Sequence, residues 1–300
     1  MSKFIKNGEQ THKSRLITAL QEMSSQITAV DPSSKGVFGS KAKVICGDVN
    51  ISSDTLDVEF SVKFDDDMES NEAEITVYNL SDNTINRLKR KAAISIEAGF
   101  DDDVGVIFSG FIDKVTTSYE DADKITTIRC FDDVTNQTIA ETTYAENTTA
   151  SYILKDLLNK TGTPIAVFSP RRDWTYENES KVSGSLMENI KRYSEVCGVS
   201  TFVKNGKIYV RYIKEGDATG FTISEDTGMI GSPSPFEEEQ TAEDYKETVN
   251  GYEVECLLQH RFSAGAIVNL KSLVANGQYR IQSGQHTFSI DEAVSKVKLI

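Results

Sequence analysis

The residues able to do chemistry are few and scattered. Three histidines occur, His12, His260 and His286, and four cysteines, Cys46, Cys130, Cys197 and Cys256. No cysteine pair has C-x-x-C spacing, and structural zinc and redox motifs need closely spaced ligands. Buried, reduced thiols are therefore expected. The signatures H-E-x-x-H, G-x-S-x-G, G-x-x-x-x-G-K-[ST] and G-x-G-x-x-G are absent. His260 and His286 fall in the same C-terminal region, yet no Cys or Asp is placed in the sequence to orient either one. Asp65–Asp67 and Asp101–Asp103 offer oxygen ligands for Ca²⁺, but neither triplet has the D-x-[DN]-x-[DN]-G spacing, and solvated hairpin loops are expected. A glycosidase acid needs an apolar pocket and a partner carboxylate. Glu188 is better explained as the fourth residue of a capping box that opens at Ser185. Trp174, in "PRRDWTYENES", is either a partner contact or a lid on a local core. The sequence assigns no catalytic residue, no cofactor and no metal ligand.

The elements around these residues change character along the chain. Leu16, Leu20, Met23 and Ile27 lie on one face of a helix over 14–28, and "DPSSKG" (31–36) reads as a linker. From 41 to 130 the period is 2: Leu56, Val58, Phe60 and Val62 alternate with polar residues, as do Ile75 and Val77, then Ile94, Ile96 and Ala98. That pattern predicts an antiparallel, half-buried sheet of sandwich or barrel type. From 145 to 235 helical spacing appears. Ile153, Leu154, Leu157 and Leu158 share a face that ends at Gly162, and Leu186, Ile190, Tyr193 and Cys197 form a second stripe that ends at Gly198. A short strand "IAVF" and a hairpin turning at Asn205–Gly206 complete a small α+β unit. "GSPSPFEEEQTAEDY" (231–245) reads as a second linker, and from 245 to 300 the period of 2 returns. The expected fold is mainly β with an α+β part. It divides into an N-terminal arm (1–40), a β domain (41–145), an α+β domain (146–235) and a second β domain (236–300).

The formal charge is −14. Residues 1–40 hold 5 basic and 3 acidic groups, whereas 41–130 hold 10 and 19. Such an excess repels phosphates and argues against specific nucleic-acid binding. No apolar stretch approaches a membrane span, and the N-terminus lacks the apolar segment of a secretory signal, so synthesis and retention in a cytoplasm are expected.

One stretch identifies more than composition does. In "AEITVYNLSDNTINRLKRKAAISIEAGF" (73–100) a strand gives way to a short helical turn and then to a strand, as though a hairpin carried a helix at its tip. With "GVIFSGFIDKV" it resembles a recurrent pattern of phage tail proteins, carried by Tyr78, Asn79, Leu80, Ser81, Leu88, Gly99, Phe100, Phe108, Gly110 and Ile112. The pattern is that of the first tube-like domain of baseplate hubs in contractile-tailed phages and R-type bacteriocins. "SLMENIKRYSEVCGVSTFVKNGKIYV" and "GAIVNLKS", followed by "GQYRIQSGQHTFS", are similar to later parts of the same family, so the resemblance spans about 45–300. It implies two tube-like antiparallel β-barrel or sandwich domains with a small α+β region, and no catalytic residue. It also implies a homotrimeric ring that joins a sixfold tail tube to a threefold central spike around a DNA-permissive acidic lumen. The implied neighbours are the tube or its initiator, the spike, baseplate wedge components and the tape measure protein, in a virion baseplate. The 14–28 helix is outside the pattern. Two other readings stay open: a tail-tip cell-wall hydrolase or carbohydrate-binding protein, and a distal tail or wedge component. For the helical turn, a local cap on the β domain and a contact with the next subunit or ring are both open.

Overall fold

The computed structural model describes residues 39–132, 138–204, 206–242 and 245–300, without the side chains of 239–247. The expected helix at 14–28, the 31–36 linker, His12 and Asn205 lie outside the described residues.

The first β region holds β1 (Ser40–Cys46), β2 (Val49–Ser52), β3 (Val58–Phe64), β4 (Glu72–Tyr78), β5 (Ala93–Phe100), β6 (Asp103–Glu120) and β7 (Asp123–Phe131), in the spatial order β3-β4-β7-β6-β5-β1-β2. Alternation does what it predicts: Val58, Phe60 and Val62 meet Ile75, Val77, Ile96 and Ile128 in a dry core. The 73–100 stretch is not a hairpin, because β7 and β6 lie between β4 and β5. The helix α1 (Asp82–Ile85) sits instead on a crossover between strands that are not neighbours.

The motif residues have local reasons. Asn79 takes a left-handed backbone (φ 57°), which Asn tolerates better than most residues. From there it ties the start of β7: its Nδ2 donates to Asp123 Oδ1 (2.9 Å) and its Oδ1 accepts from Lys124 N (3.1 Å). Leu80 plugs the core, and Ser81 caps α1 by accepting from Thr84 N. Gly99 and Gly110 allow close backbone approach: a Cβ would stand 2.0 Å from Asp103 O at the first and 2.3 Å from Phe131 O at the second. Leu88 is buried in this same core and Ile85 packs against it, so the turn caps its own β region.

The α+β unit follows. Helix α2 (Ala150–Lys160) is capped by Thr149 and helix α3 (Leu186–Cys197) by Ser185, whose Oγ accepts from Glu188 N. Gly198 ends α3 in the left-handed conformation, as its position predicts. The helices pack with β8 (Thr138–Tyr144), β9 (Thr148–Thr149), β10 (Ile165–Phe168), β11 (Thr175–Tyr176), β12 (Ser180–Ser185), β13 (Ser200–Lys204) and β14 (Lys207–Arg211).

The remaining strands are β15 (Asp217–Ile223), β16 (Met229–Ala242), β17 (Tyr245–Leu257), β18 (Ala266–Lys271), β19 (Asn276–Phe288) and β20 (Ala293–Leu299). The segment expected as a linker at 231–245 is therefore mostly strand. β16 tolerates Pro233 and Pro235 because it is an edge strand that pairs only with β17, with a register shift between Ile230 and Ser234. The two β regions are not separate sheets. β19 pairs antiparallel with β3, Phe288 opposite Phe60 and His286 opposite Val62, and the rings of Phe60 and Phe288 stack at 5.2 Å. One sheet consequently runs β16-β17-β20-β19-β3-β4-β7-β6-β5-β1-β2.

Candidate functional site

The residues singled out for chemistry are used for structure. Cys46, Cys130, Cys197 and Cys256 are all free and buried, and burial pushes the last three thiols up to about 12. His286 and Ser295 do form a Ser–His hydrogen bond (2.8 Å) of the kind a hydrolase uses. Both are completely buried, however, and the other ring nitrogen faces the carbonyl of Phe262 (3.2 Å). A carbonyl only accepts, so Nε2 carries the proton and Nδ1 accepts from the serine hydroxyl. Burial pulls this imidazole down to about 4, and the neutral ring packs at 5.0 Å from Phe64. No substrate reaches such a pair.

Both Asp triplets differ from the expected solvated loops: Asp65 and Asp66 are partly buried in the first, and Asp103 is paired in the second. Asp103 accepts from Arg261 Nη1 (2.6 Å) and sits 3.0 Å from His260 Nε2, bonds that hold its carboxyl well below the usual carboxylate range. Gly105 leaves room for this clamp, since a Cβ there would meet His260 Nδ1 at 2.2 Å. His260 thus does have an aspartate partner, 157 residues away in sequence. Asp66 pairs with Arg280 Nη1 (2.6 Å), whose side chain is 1% exposed. Arg280 Nε also donates to Glu215 O (2.9 Å), and Ser200 Oγ donates to Asp66 O (2.5 Å). With Met68 buried among the α2 and α3 side chains, the 65–71 loop pins the first β region to the two that follow. Among the described residues no group of three His, Cys, Asp or Glu side chains is arranged to hold a metal.

What the molecule presents to partners is its surface. On the side of the great sheet away from the cores, Thr287, Ser61, Glu74, Arg129 and Lys114 stand opposite one another across β19, β3, β4, β7 and β6. Another row runs Glu255, Lys296, Gln285, Lys63. Acids and bases mix on this face: Arg129 stands beside Lys114 but pairs with Glu72 (2.5 Å), Lys296 pairs with Glu255 (3.6 Å), and Gln285 donates to Ser61 Oγ (2.8 Å). The acidic excess of the first β region sits in turns instead, at Asp48, Asp54, Asp101, Asp102 and Asp121.

Trp174 covers no core, being 62% exposed. Its loop is nonetheless fixed. Asp173 accepts from Ser151 N and Oγ at the start of α2, Arg172 donates to the carbonyls of Glu195 and Val196 at the end of α3, and Arg171 lies 3.7 Å over the Tyr212 ring. Sequence reasoning had no means of finding Leu273, 98% exposed at the β18–β19 turn.

The profile of the Baseplate hub gp41 family matches residues 47–291. The chain belongs to that family. A search of curated proteins finds no match. Among solved structures, the 43 kDa tail protein of prophage MuSo2 from Shewanella oneidensis is similar, with a TM-score of 0.60 at 10% identity over 87% of this chain and 96% of that one. The tail protein of Neisseria meningitidis MC58 gives 0.61 at 8% identity, over 87% and 96%. An E. coli component of the type VI secretion system, described as structurally similar to T4 bacteriophage tail proteins, gives 0.55 at 10% over 86% and 76%. At these identities the likeness shows a shared, mostly β fold. Family and fold together mark a structural phage tail protein of the baseplate hub type.

Proposed function

We propose that the protein is a homotrimeric ring at the distal end of a phage tail or phage-derived contractile particle, joining the sixfold tail tube to the threefold central spike. The observation that carries this reading is the β19–β3 junction, which turns two β regions into one unbroken sheet with one buried and one polar face. Two such regions in each of three subunits give six wall segments around a threefold axis. The proposed division is a first tube-like region over 41–145, an α+β region from 146 and a second tube-like region to 300 that draws in the strands from Asp217 onward.

In this arrangement the polar face lines a channel for DNA. Arg129 and Lys296 are matched by Glu72 and Glu255, which weakens their hold on phosphates, and the turn aspartates add negative charge at the strand ends. Charged and proline-bearing β16 discourages edge-to-edge strand addition, so subunits meet through side chains rather than a continued sheet. The neighbours in this reading are the tube or its initiator, the spike, wedge components and the tape measure protein. Synthesis is in the host cytoplasm, and the protein catalyses nothing. Light scattering after size exclusion, together with negative-stain imaging, tests the ring: a trimeric annulus supports it. A strictly monomeric chain that binds no tail component contradicts it. Clearing on a bacterial cell-wall zymogram contradicts the absence of catalysis.

A further inference from the structure

We propose that the α+β unit is a clasped module that comes away from the great sheet as one body, with Met68 and Phe202 as its two latches. Among the described residues none of its strands pairs with a strand of the great sheet: β10, β14 and β13 form a sheet of their own, β9 pairs with β11, and β8 pairs with β12. Its core is separate as well. The apolar side chains of that core come from residues 139–210, except Met68, which reaches in from the 65–71 loop. The exchange is mutual. Phe202, 1% exposed, is the α+β side chain buried in the core built on β17 to β20, and the Tyr209 ring stacks on it at 5.6 Å. Gly265 makes room for this seat, since a Cβ there would meet Phe202 Cζ at 2.7 Å.

Around the two latches the joint is polar. Arg280 spans it, holding Asp66 of the first β region through Nη1 (2.6 Å) while its guanidinium carbon lies 5.6 Å from the Phe202 ring centre. Ser200, at the start of β13, donates to Asp66 O (2.5 Å). At the end of β14, Arg211 Nη1 donates to Asp217 (3.0 Å), and Lys204 Nζ stands 3.8 Å from the same carboxylate. Two donors in this clasp have no acceptor, Nη2 of Arg280 and Nε of Arg211. A buried donor without a partner carries its desolvation cost, and opening returns both to water. Two apolar latches in a polar rim with unmet donors therefore part at less cost than any of the three dry cores unfolds, and joints of this kind are where sub-global motion arises. The β19–β3 junction lies outside the clasp, so the module opens while the continuous sheet stays intact.

The inference is independent of the ring reading, and either can fail alone. Thiol labelling of the full chain under native conditions tests it, because the buried native cysteines act as internal controls: Cys130 reports on the first β core, Cys197 on the α+β core and Cys256 on the last. In a Met68→Cys chain the new thiol should label at least tenfold faster than these three, at a rate that hardly depends on urea. Phe202→Leu in the same chain should raise that rate about tenfold more and leave Cys130 unchanged, since the two latches release together. Met68 oxidation by peroxide in chains that keep Met68, read by mass spectrometry, should respond to Phe202→Leu in the same way, which covers a Met68→Cys chain that folds poorly. Labelling of Met68→Cys at the rate and urea dependence of Cys130 would overturn the proposal, because the joint would then open only on global unfolding. So would labelling of Cys197 in step with it, which means that the unit melts rather than opens as a body. A rate that Phe202→Leu does not change in either measurement would overturn it too, by showing that Met68 frays alone.

Discussion

Asp66→Ala should cost the protein far more than an acidic loop residue usually does. Asp66 is 12% exposed and its partner Arg280 1%, so the pair is desolvated, and removing one member leaves a cation buried without its counter-charge. Breaking such a pair costs about 3–5 kcal/mol. Arg280 keeps its bond to Glu215 O but its Nη2 already has no partner, so little compensation is at hand, and the lower part of that range, about 3 kcal/mol, is expected. The damage should extend beyond the pair, because the same loop holds Ser200 and seats Met68. Urea unfolding followed by far-UV circular dichroism is the suitable assay, as exposed Trp174 reports poorly on burial. The double variant Asp66→Ala with Arg280→Met should recover most of the loss, since it removes the stranded charge and leaves an apolar chain near Phe202. A single-variant loss below about 1 kcal/mol, the range of an exposed pair, would refute the reasoning. So would a double variant no more stable than the single one.

The buried His286 and the half-buried Asp65 should impose pH slopes of opposite sign. His286 stays neutral down to about 4 while an unfolded histidine binds its proton near 6.5, so its contribution is lost as pH falls through that window, by roughly 3 kcal/mol in all. Asp65, raised to about 7 by burial and then by Asp67, keeps its proton where the unfolded chain has lost it, so stability falls as pH rises from about 3.8 to about 7. Asp65→Asn should therefore raise stability at pH 8 and expose the histidine slope in denaturation series at several pH values; an unchanged pH profile would contradict the assignment. Leu88→Ala should destabilise the isolated subunit by about 2–4 kcal/mol, whereas a loss of assembly with unchanged unfolding would place Leu88 at an interface. Gly105→Val should cost about 1–3 kcal/mol by driving His260 off β6, and Asp103→Asn under about 1 kcal/mol because the carboxylate is half exposed, both read by chemical unfolding. Trp174→Ala should stay within about 0.5 kcal/mol of wild type; a larger loss would mean that the ring supports a core.

What was legible in the sequence was local and periodic. Ser185, Gly162 and Gly198 bound helices through bonds to residues within one turn, and β3 and β20 alternate because one face of each is dry. The tail-protein resemblance rested in part on residues whose reasons are likewise local, such as the left-handed Asn79 and Gly99 in the β5–β6 hairpin, whereas Gly110 makes room for Phe131 O on β7. What was illegible depended on distant partners. β16 reads as a linker because Gly231, Pro233 and Pro235 are poor strand formers, and only its edge position makes them tolerable. β4 and β5 read as a hairpin because they are adjacent in sequence, although β7 and β6 return between them. Asp103 with His260, and Asp66 with Arg280, join residues 157 and 214 positions apart, and no spacing rule points from one to the other. The apolar tip at Leu273 carries no periodic signal, since two apolar residues in a turn are unremarkable until their exposure is known.

The central claim is a threefold ring at the junction of tube and spike, and a cryo-EM map of the intact particle tests it most directly. The account predicts three copies at the distal end of the tube, with the β19–β3 sheet forming the channel wall. Six copies, or a position off the tail axis, would contradict it.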